Sequence, residues 1–149
     1  MNFNNDKPLY VLEEIAEILR SENGCAWDKK QTFQSLKPYL IEEAYEVFDA
    51  IESGNTEHMK EELGDLLLQI YLHAQIAKEK NAFTIDDVAK GISEKLIRRH
   101  PHVFGDEDVS NADEIIKNWE KIKQKERGNK KSILSGVPSQ LPALLMAYR

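Results

Sequence analysis

Residues 35–72 read SLKPYLIEEAYEVFDAIESGNTEHMKEELGDLLLQIYL, and their spacing decides the fold. Ser35 is a good N-cap, and Pro38 falls in the first turn, where a missing N–H costs nothing. The helix that follows should run to about Glu52 and stop at Ser53-Gly54-Asn55. A second helix starts at Asn55 or Thr56 and continues to about Lys80, so the two form a hairpin. Leu66, Leu67, Leu68, Ile70, Tyr71 and Leu72 cover every side of that second helix. A helix apolar all round is buried on more than one side, which in so small a bundle predicts a subunit interface and a dimer.

Outward from the hairpin the periodicity remains helical. Pro8–Arg20 carries Leu9, Val11, Leu12, Ile15, Ile18 and Leu19 at helical spacing, while residues 24–34, polar around Trp27, read as a loop. Thr84 with Asp87 forms a capping box that opens a third long helix, from Ile85 to about Arg99, halted by His100-Pro101. Asn111 with Glu114 opens a fourth, to about Arg127; residues 130–139 read as loop, and residues 141–149 begin a last helix. No segment alternates with period two, and there is no glycine-rich phosphate loop, internal repeat or low-complexity tract. The expectation is an all-α helical bundle.

Composition limits what such a bundle does. The 149 residues suit one domain, 1–149, and 41% hydrophobic with 31% charged residues is ordinary for a globular chain. No apolar run nears the ~20 residues that span a bilayer, and residues 1–7 lack a signal-peptide pattern. The lone Cys25 excludes an internal disulfide or a cysteine-built zinc site and fits a reducing cytoplasm. A formal charge of −6 argues against nucleic acid or anionic membrane as partners. If such a chain handles an anion, something must invert the local sign, and a divalent cation held by carboxylates would do it.

The hairpin supplies the carboxylates. Glu42, Glu43 and Glu46 lie on its first helix, and Glu61, Glu62 and Asp65 on its second. Residues three apart share a face, so Glu43 pairs with Glu46 and Glu62 with Asp65, and both pairs interrupt an apolar stripe. About Gly54, Glu46 is equidistant with Glu62, and Glu43 with Asp65. At ~1.5 Å rise per residue all four lie roughly 12–17 Å from the turn, in one layer. If the faces meet, the cluster needs compensating charge. One reading is a solvated acidic face. The other is a hard-cation site, since oxygen-only ligands suit Mg2+, Mn2+ or Ca2+. A di-iron site would need Glu-x-x-His motifs, but the second motif ends in Asp65, and His73 is too far along to replace it.

This EExxE and ExxD arrangement resembles the all-α nucleotide pyrophosphohydrolases, a group that includes dUTPases, dCTPases and phosphoribosyl-ATP pyrophosphohydrolases. Further segments narrow the likeness: NGCAWD (23–28), SLKPYLIEEAYE (35–46), ELGDLL (62–67), RRHPHVF (98–104), WEKIK (119–123) and GVPSQLP (136–142). Together they resemble the MazG family over nearly the whole chain, in particular the first unit of its tandem members. The resemblance implies hydrolysis of an NTP or dNTP to the monophosphate and pyrophosphate, as nucleotide-pool house-cleaning.

It also implies that Glu43, Glu46, Glu62 and Asp65 hold Mg2+, with Mn2+ as a substitute, and that Glu42 sits beside them to orient the attacking water. Lys95 and Arg99, four apart on the third long helix, match triphosphate-contacting positions, whereas Arg98 points elsewhere as a surface or salt-bridge residue. Trp119 matches a position near the base; its alternative is core packing. Trp27 lines the pocket or anchors its loop, and His100 and His102 read as turn structure. His58 stands one turn before Glu62, where some members carry a phosphate-binding lysine, and Ala26 replaces the usual loop proline. The chain stops at Ala147-Tyr148-Arg149 within an apparent helix, which fits either a single-domain protein or a shortened tandem one. Two other readings remain: an enzyme restricted to one nucleotide, such as a dUTPase or dCTPase, and a non-catalytic dimerisation or nucleotide-binding unit. The intact acids argue against the latter, and HPHVF with GVPSQLP against the former.

Overall fold

A computed structural model of the chain describes residue 3, residues 7–106 and residues 111–127. Among these residues all regular structure is helical: α1 (Pro8–Arg20), α2 (Ala26–Lys30), α3 (Lys37–Ser53), α4 (Thr56–Glu79), α5 (Ile85–Arg99), α6 (Pro101–Phe104) and α7 (Ala112–Arg127). The expected loop and helix beyond residue 130 lie outside the described residues. The chain divides into two compact units, Met1–Ile92 and Ser93–Arg149.

In the first unit α3 and α4 form the expected hairpin, and its turn has identifiable causes. Gly54 takes the left-handed conformation (φ 67°, ψ 8°) that ends α3 without a Cβ penalty. The Asn55 side chain then accepts from the backbone N–H groups of Glu57 and His58 at 3.1 and 3.2 Å, capping α4. Helix α1 packs against α4, and the core between them joins Ala16, Leu36, Tyr71, Leu72 and Ile76, flanked by Leu12, Phe33, Leu67, Leu68 and Ile85. Within α4, Tyr71 and Leu72 are buried while Ile70 is exposed, so its all-round apolar character is only partly used within the chain.

Three local expectations are corrected. Residues 26–30, read as loop, form the short helix α2; Asp28 in its first turn and Lys29 and Lys30 in its last complement the helix dipole. Ser35 does not cap α3, whose N-cap is Leu36. Its hydroxyl is engaged one turn upstream, where Thr32 N donates to Ser35 Oγ at 2.9 Å and Ser35 N to Thr32 Oγ1 at 3.1 Å. After His100, which does end α5, Pro101 starts the extra turn α6, because a proline at N1 needs no partner for a missing N–H. The Thr84–Asp87 box forms as expected, with Thr84 N donating to Asp87 Oδ2 at 2.9 Å and Asp87 N to Thr84 Oγ1 at 3.2 Å. Asn111 likewise accepts from Glu114 N at 3.0 Å.

Arg20, at the end of α1, ties these pieces together. It pairs bidentately with Glu79 of α4, both bonds at 2.8 Å, and donates to the carbonyl oxygens of Asp28 and Gln31 on either side of the end of α2. Gly24 makes the adjoining turn possible, since a Cβ there would stand 2.3 Å from the carbonyl oxygens of Ile18 and Leu19. Hydrogen bonds from Arg20 hold the Glu79 carboxyl below its ordinary pKa. A depressed carboxylate contributes stability above its unfolded pKa and loses it as pH falls through the folded value. Arg20→Ala is therefore expected to cost about 2–4 kcal/mol at neutral pH. The gap to wild type should narrow below about pH 4, read by urea unfolding at several pH values.

Candidate metal centre

The hairpin brings carboxylates from α3 and α4 together. One oxygen each from Glu43, Glu62 and Asp65 lies within 4.8 Å of the others; Glu43 and Glu62 are half-buried and Asp65 is exposed. Burial first, then the negative charges of Asp65 and Glu46, raise the Glu43 carboxyl above its ordinary pKa; a hydrogen bond with Glu46 and the charge of Glu62 add to this. Glu46 thus adjoins the cluster through Glu43, although it is not one of the three groups that converge. Glu42 is exposed, outside the three. His58 Nε2 lies 3.1 Å from Glu62 Oε1, so this imidazole is engaged with a carboxylate of the cluster.

An all-oxygen donor set with a crowded, partly desolvated carboxyl fits a hard divalent cation, whose charge would relieve the repulsion. Neither cysteine nor thioether takes part in it. Trp27, on α2, is half exposed and meets Tyr39 of α3 edge to face, ring centroids 5.7 Å apart.

The second unit holds the other candidates. Lys95 and Arg99 are half-buried on α5. Arg99 donates to Glu126 of α7 from Nε at 3.0 Å and Nη2 at 2.5 Å, and its guanidinium stands 5.8 Å from the centre of the Trp119 ring. Arg98 shares the same acid, Nε to Oε1 at 2.6 Å, as expected of a salt-bridge residue. Hydrogen bonds from Arg99 and then Arg98 hold the Glu126 carboxyl down to about 2. Trp119 also meets His100 edge to face at 4.7 Å, so His100 belongs to an aromatic contact as well as to a turn. Helix periodicity offers no sign that Glu126 neutralises Arg99, because the pair joins two helices far apart in sequence.

Residues 31–104, which include the whole hairpin, match the family model of the MazG nucleotide pyrophosphohydrolase domain. A crystal structure of a MazG-related protein from Thermotoga maritima superposes with a TM-score of 0.64 and 30% identity, covering 76% of this chain and 97% of that one. The chain belongs to the MazG family.

MazG relatives are also similar in sequence. The nucleoside triphosphate pyrophosphohydrolase/pyrophosphatase MazG of Thermotoga maritima is 58% identical over 93% of this chain and 53% of its own length. The nucleoside triphosphate pyrophosphohydrolase of Escherichia coli K12 is 44% identical over 97% and 54%, and the uncharacterised protein YabN of Bacillus subtilis 58% over 93% and 29%. The chain thus spans between 29% and 54% of the length of these curated relatives.

Repulsion in the MazG cluster yields a prediction on stability. In the absence of divalent cations Glu43→Gln removes one of the crowded charges and lets an amide donate to Glu46. The variant should gain about 0.5–1 kcal/mol in chelator. Millimolar Mg2+ should raise the melting temperature of wild type and leave that of the variant nearly unmoved. Thermal unfolding in EDTA and in Mg2+ checks both parts.

Proposed function

We propose that this chain hydrolyses nucleoside triphosphates, ribo or deoxy, to the monophosphate and pyrophosphate in a Mg2+-dependent reaction, as part of nucleotide-pool house-cleaning in the cytoplasm. The observation that carries the reading is the convergence of Glu43, Glu62 and Asp65 in a chain of the MazG family. Glu43, Glu62 and Asp65, with Glu46 beside them, would hold the cation; Mn2+ would substitute for it. Bound there, the cation would neutralise phosphate oxygens and acidify the attacking water.

The chain's own residues do the rest. Glu42, one residue before Glu43 and exposed, would orient the water for attack on the α-phosphorus. As the new P–O bond forms, the bond from the α-phosphorus to the bridging oxygen breaks, and pyrophosphate leaves. His58 positions the Glu62 carboxylate through their 3.1 Å contact, in place of the direct phosphate contact its location in sequence implies. Lys95 and Arg99 are the phosphate-binding cations, and Arg99 has to exchange Glu126 for the triphosphate. Trp119 would stack on the base, and Trp27 would line the pocket.

A homodimer completes the proposal. The face of α3 opposite its carboxylates carries Ile41, Tyr45 and Phe48, all more than half exposed, and α4 adds exposed Leu63 and Ile70. Exposed apolar side chains of this kind are what a second copy would cover. Nucleic acid and membranes are not proposed as partners: net charge is −6, and among the described residues no helix is long and apolar enough to cross a membrane. The names of the similar curated relatives favour triphosphates in general over a single nucleotide.

Two outcomes test this reading. A panel of NTPs and dNTPs should release pyrophosphate only with Mg2+ or Mn2+, and Glu62→Gln should lower kcat by about a hundredfold or more. Orthophosphate release, or an unimpaired Glu62→Gln, contradicts it. Phe48→Asp should convert a dimer to monomer in sedimentation at micromolar concentration, since it buries a charge at the centre of the apolar face.

A further inference from the structure

Two carboxylates outside the hairpin cluster line the same cavity in the first unit. It measures about 150 Å3 and is walled by α1, α4 and the start of α5. Leu9 and Tyr10 of α1 and Ile85 of α5 make its apolar surface, and Glu13 of α1 and Asp86 of α5 bring its only charges, both negative. Glu13 is weakly neutralised: Lys78 lies 3.8 Å from it but is closer to Glu17, at 2.9 Å. Tyr71 of α4, 8% exposed, is the most buried part of the wall.

Tyr71 is the residue that points to a ligand. Among the described residues its hydroxyl makes no hydrogen bond, although the side chain is buried. Burial first, then the charges of Glu13 and Asp86, raise its phenol above the ordinary pKa. The charges that act on this hydroxyl are those of the cavity wall, so the hydroxyl end of the ring is the end turned to the cavity. The rest of the side chain packs in the core with Ala16, Leu72 and Ile76, where a phenylalanine would fit without leaving a polar group unpaired.

We propose that this cavity binds a small primary alkylamine, its ammonium shared by Glu13, Asp86 and the Tyr71 hydroxyl and its alkyl stem laid on Leu9, Tyr10 and Ile85. An ammonium has three N–H donors and no acceptor, which suits two carboxylates and a hydroxyl oxygen supplied by three different helices. A strongly hydrated metal ion would lose its water against aliphatic walls, whereas an alkylamine buries its stem there and keeps its head on oxygen. Size points the same way. Pockets for drug-sized ligands run to about 300–1,000 Å3, so this smaller cavity holds something the size of a lysine side chain and excludes a nucleoside. Tyr10 already attracts an ammonium, since Nζ of Lys7 stands 5.5 Å from the centre of its ring. The site is independent of the triphosphate reading, because none of its groups belongs to the metal centre.

The test compares butylamine with butanol, its neutral counterpart of the same length. Both are titrated into the full chain by calorimetry, with millimolar Mg2+ present to compete at the hairpin acids. Butylamine is expected to bind at one site with a Kd of about 1 mM or below, and butanol at least about tenfold more weakly. Tyr71→Phe, which deletes an unpaired hydroxyl and keeps the ring, should retain the wild-type melting temperature and weaken butylamine about fivefold. Glu13→Gln and Asp86→Asn should each weaken it about tenfold. Backbone amide shifts on adding butylamine should centre on residues 9–13, 71 and 85–89. No butylamine binding, equal affinity for the two compounds, affinity unmoved in all three variants, or shifts centred on Glu43, Glu62 and Asp65 each overturn the site. A Tyr71→Phe chain that melts well below wild type also overturns it, because the hydroxyl then has its partner within the protein.

Discussion

Negative charges brought close together in a partly desolvated place repel, and the protein has to hold them there by other means. Glu43, Glu62 and Asp65 converge because a left-handed glycine and an asparagine cap join α3 to α4 in a single register. An inserted residue in that turn would rotate every side chain of one helix by about 100° and separate the acids. The stability that opposes the repulsion comes from the core farther along α4, where Tyr71, Leu72 and Ile76 cluster with Ala16 of α1. Hydrophobic packing along one half of a helix thus maintains electrostatic tension along the other.

The same economy of parts appears at Arg20. One guanidinium, 6% exposed in its side chain, joins the end of α1 to Glu79 and to two carbonyl groups around α2. By fixing α2 it also sets the position of Trp27. Ion pairing of another kind marks the second unit, where Glu126 draws Arg98 and Arg99 to itself. That shared carboxylate avoids leaving two adjacent cations unneutralised.

Seen along its axis, the hairpin is a stack of layers with distinct chemistry. The Gly54 turn comes first, then the layer of acids, then Tyr39 level with Gln69, then the Phe33–His73 stack. Charge density falls and aromatic content rises with distance from the turn. The outward face of α3 carries Tyr45 and Phe48, both exposed, on the side away from the acids.

Helix identity and the layering of the acids were legible in residues 35–72, because helical periodicity and a glycine stop are local properties of the chain. The capping pairs Thr84–Asp87 and Asn111–Glu114 were legible for the same reason. Local reading failed where side chains had competing partners. Ser35 bonds to Thr32 in preference to capping α3, and the stretch around Trp27 coils into α2. Which acids converge, the engagement of His58 with Glu62, the capture of Arg99 by Glu126 and the orphaned oxygen of Gln69 were decided only by tertiary structure. Sequence spacing sets which residues share a helix face, but the distance and burial between two faces depend on how the helices pack.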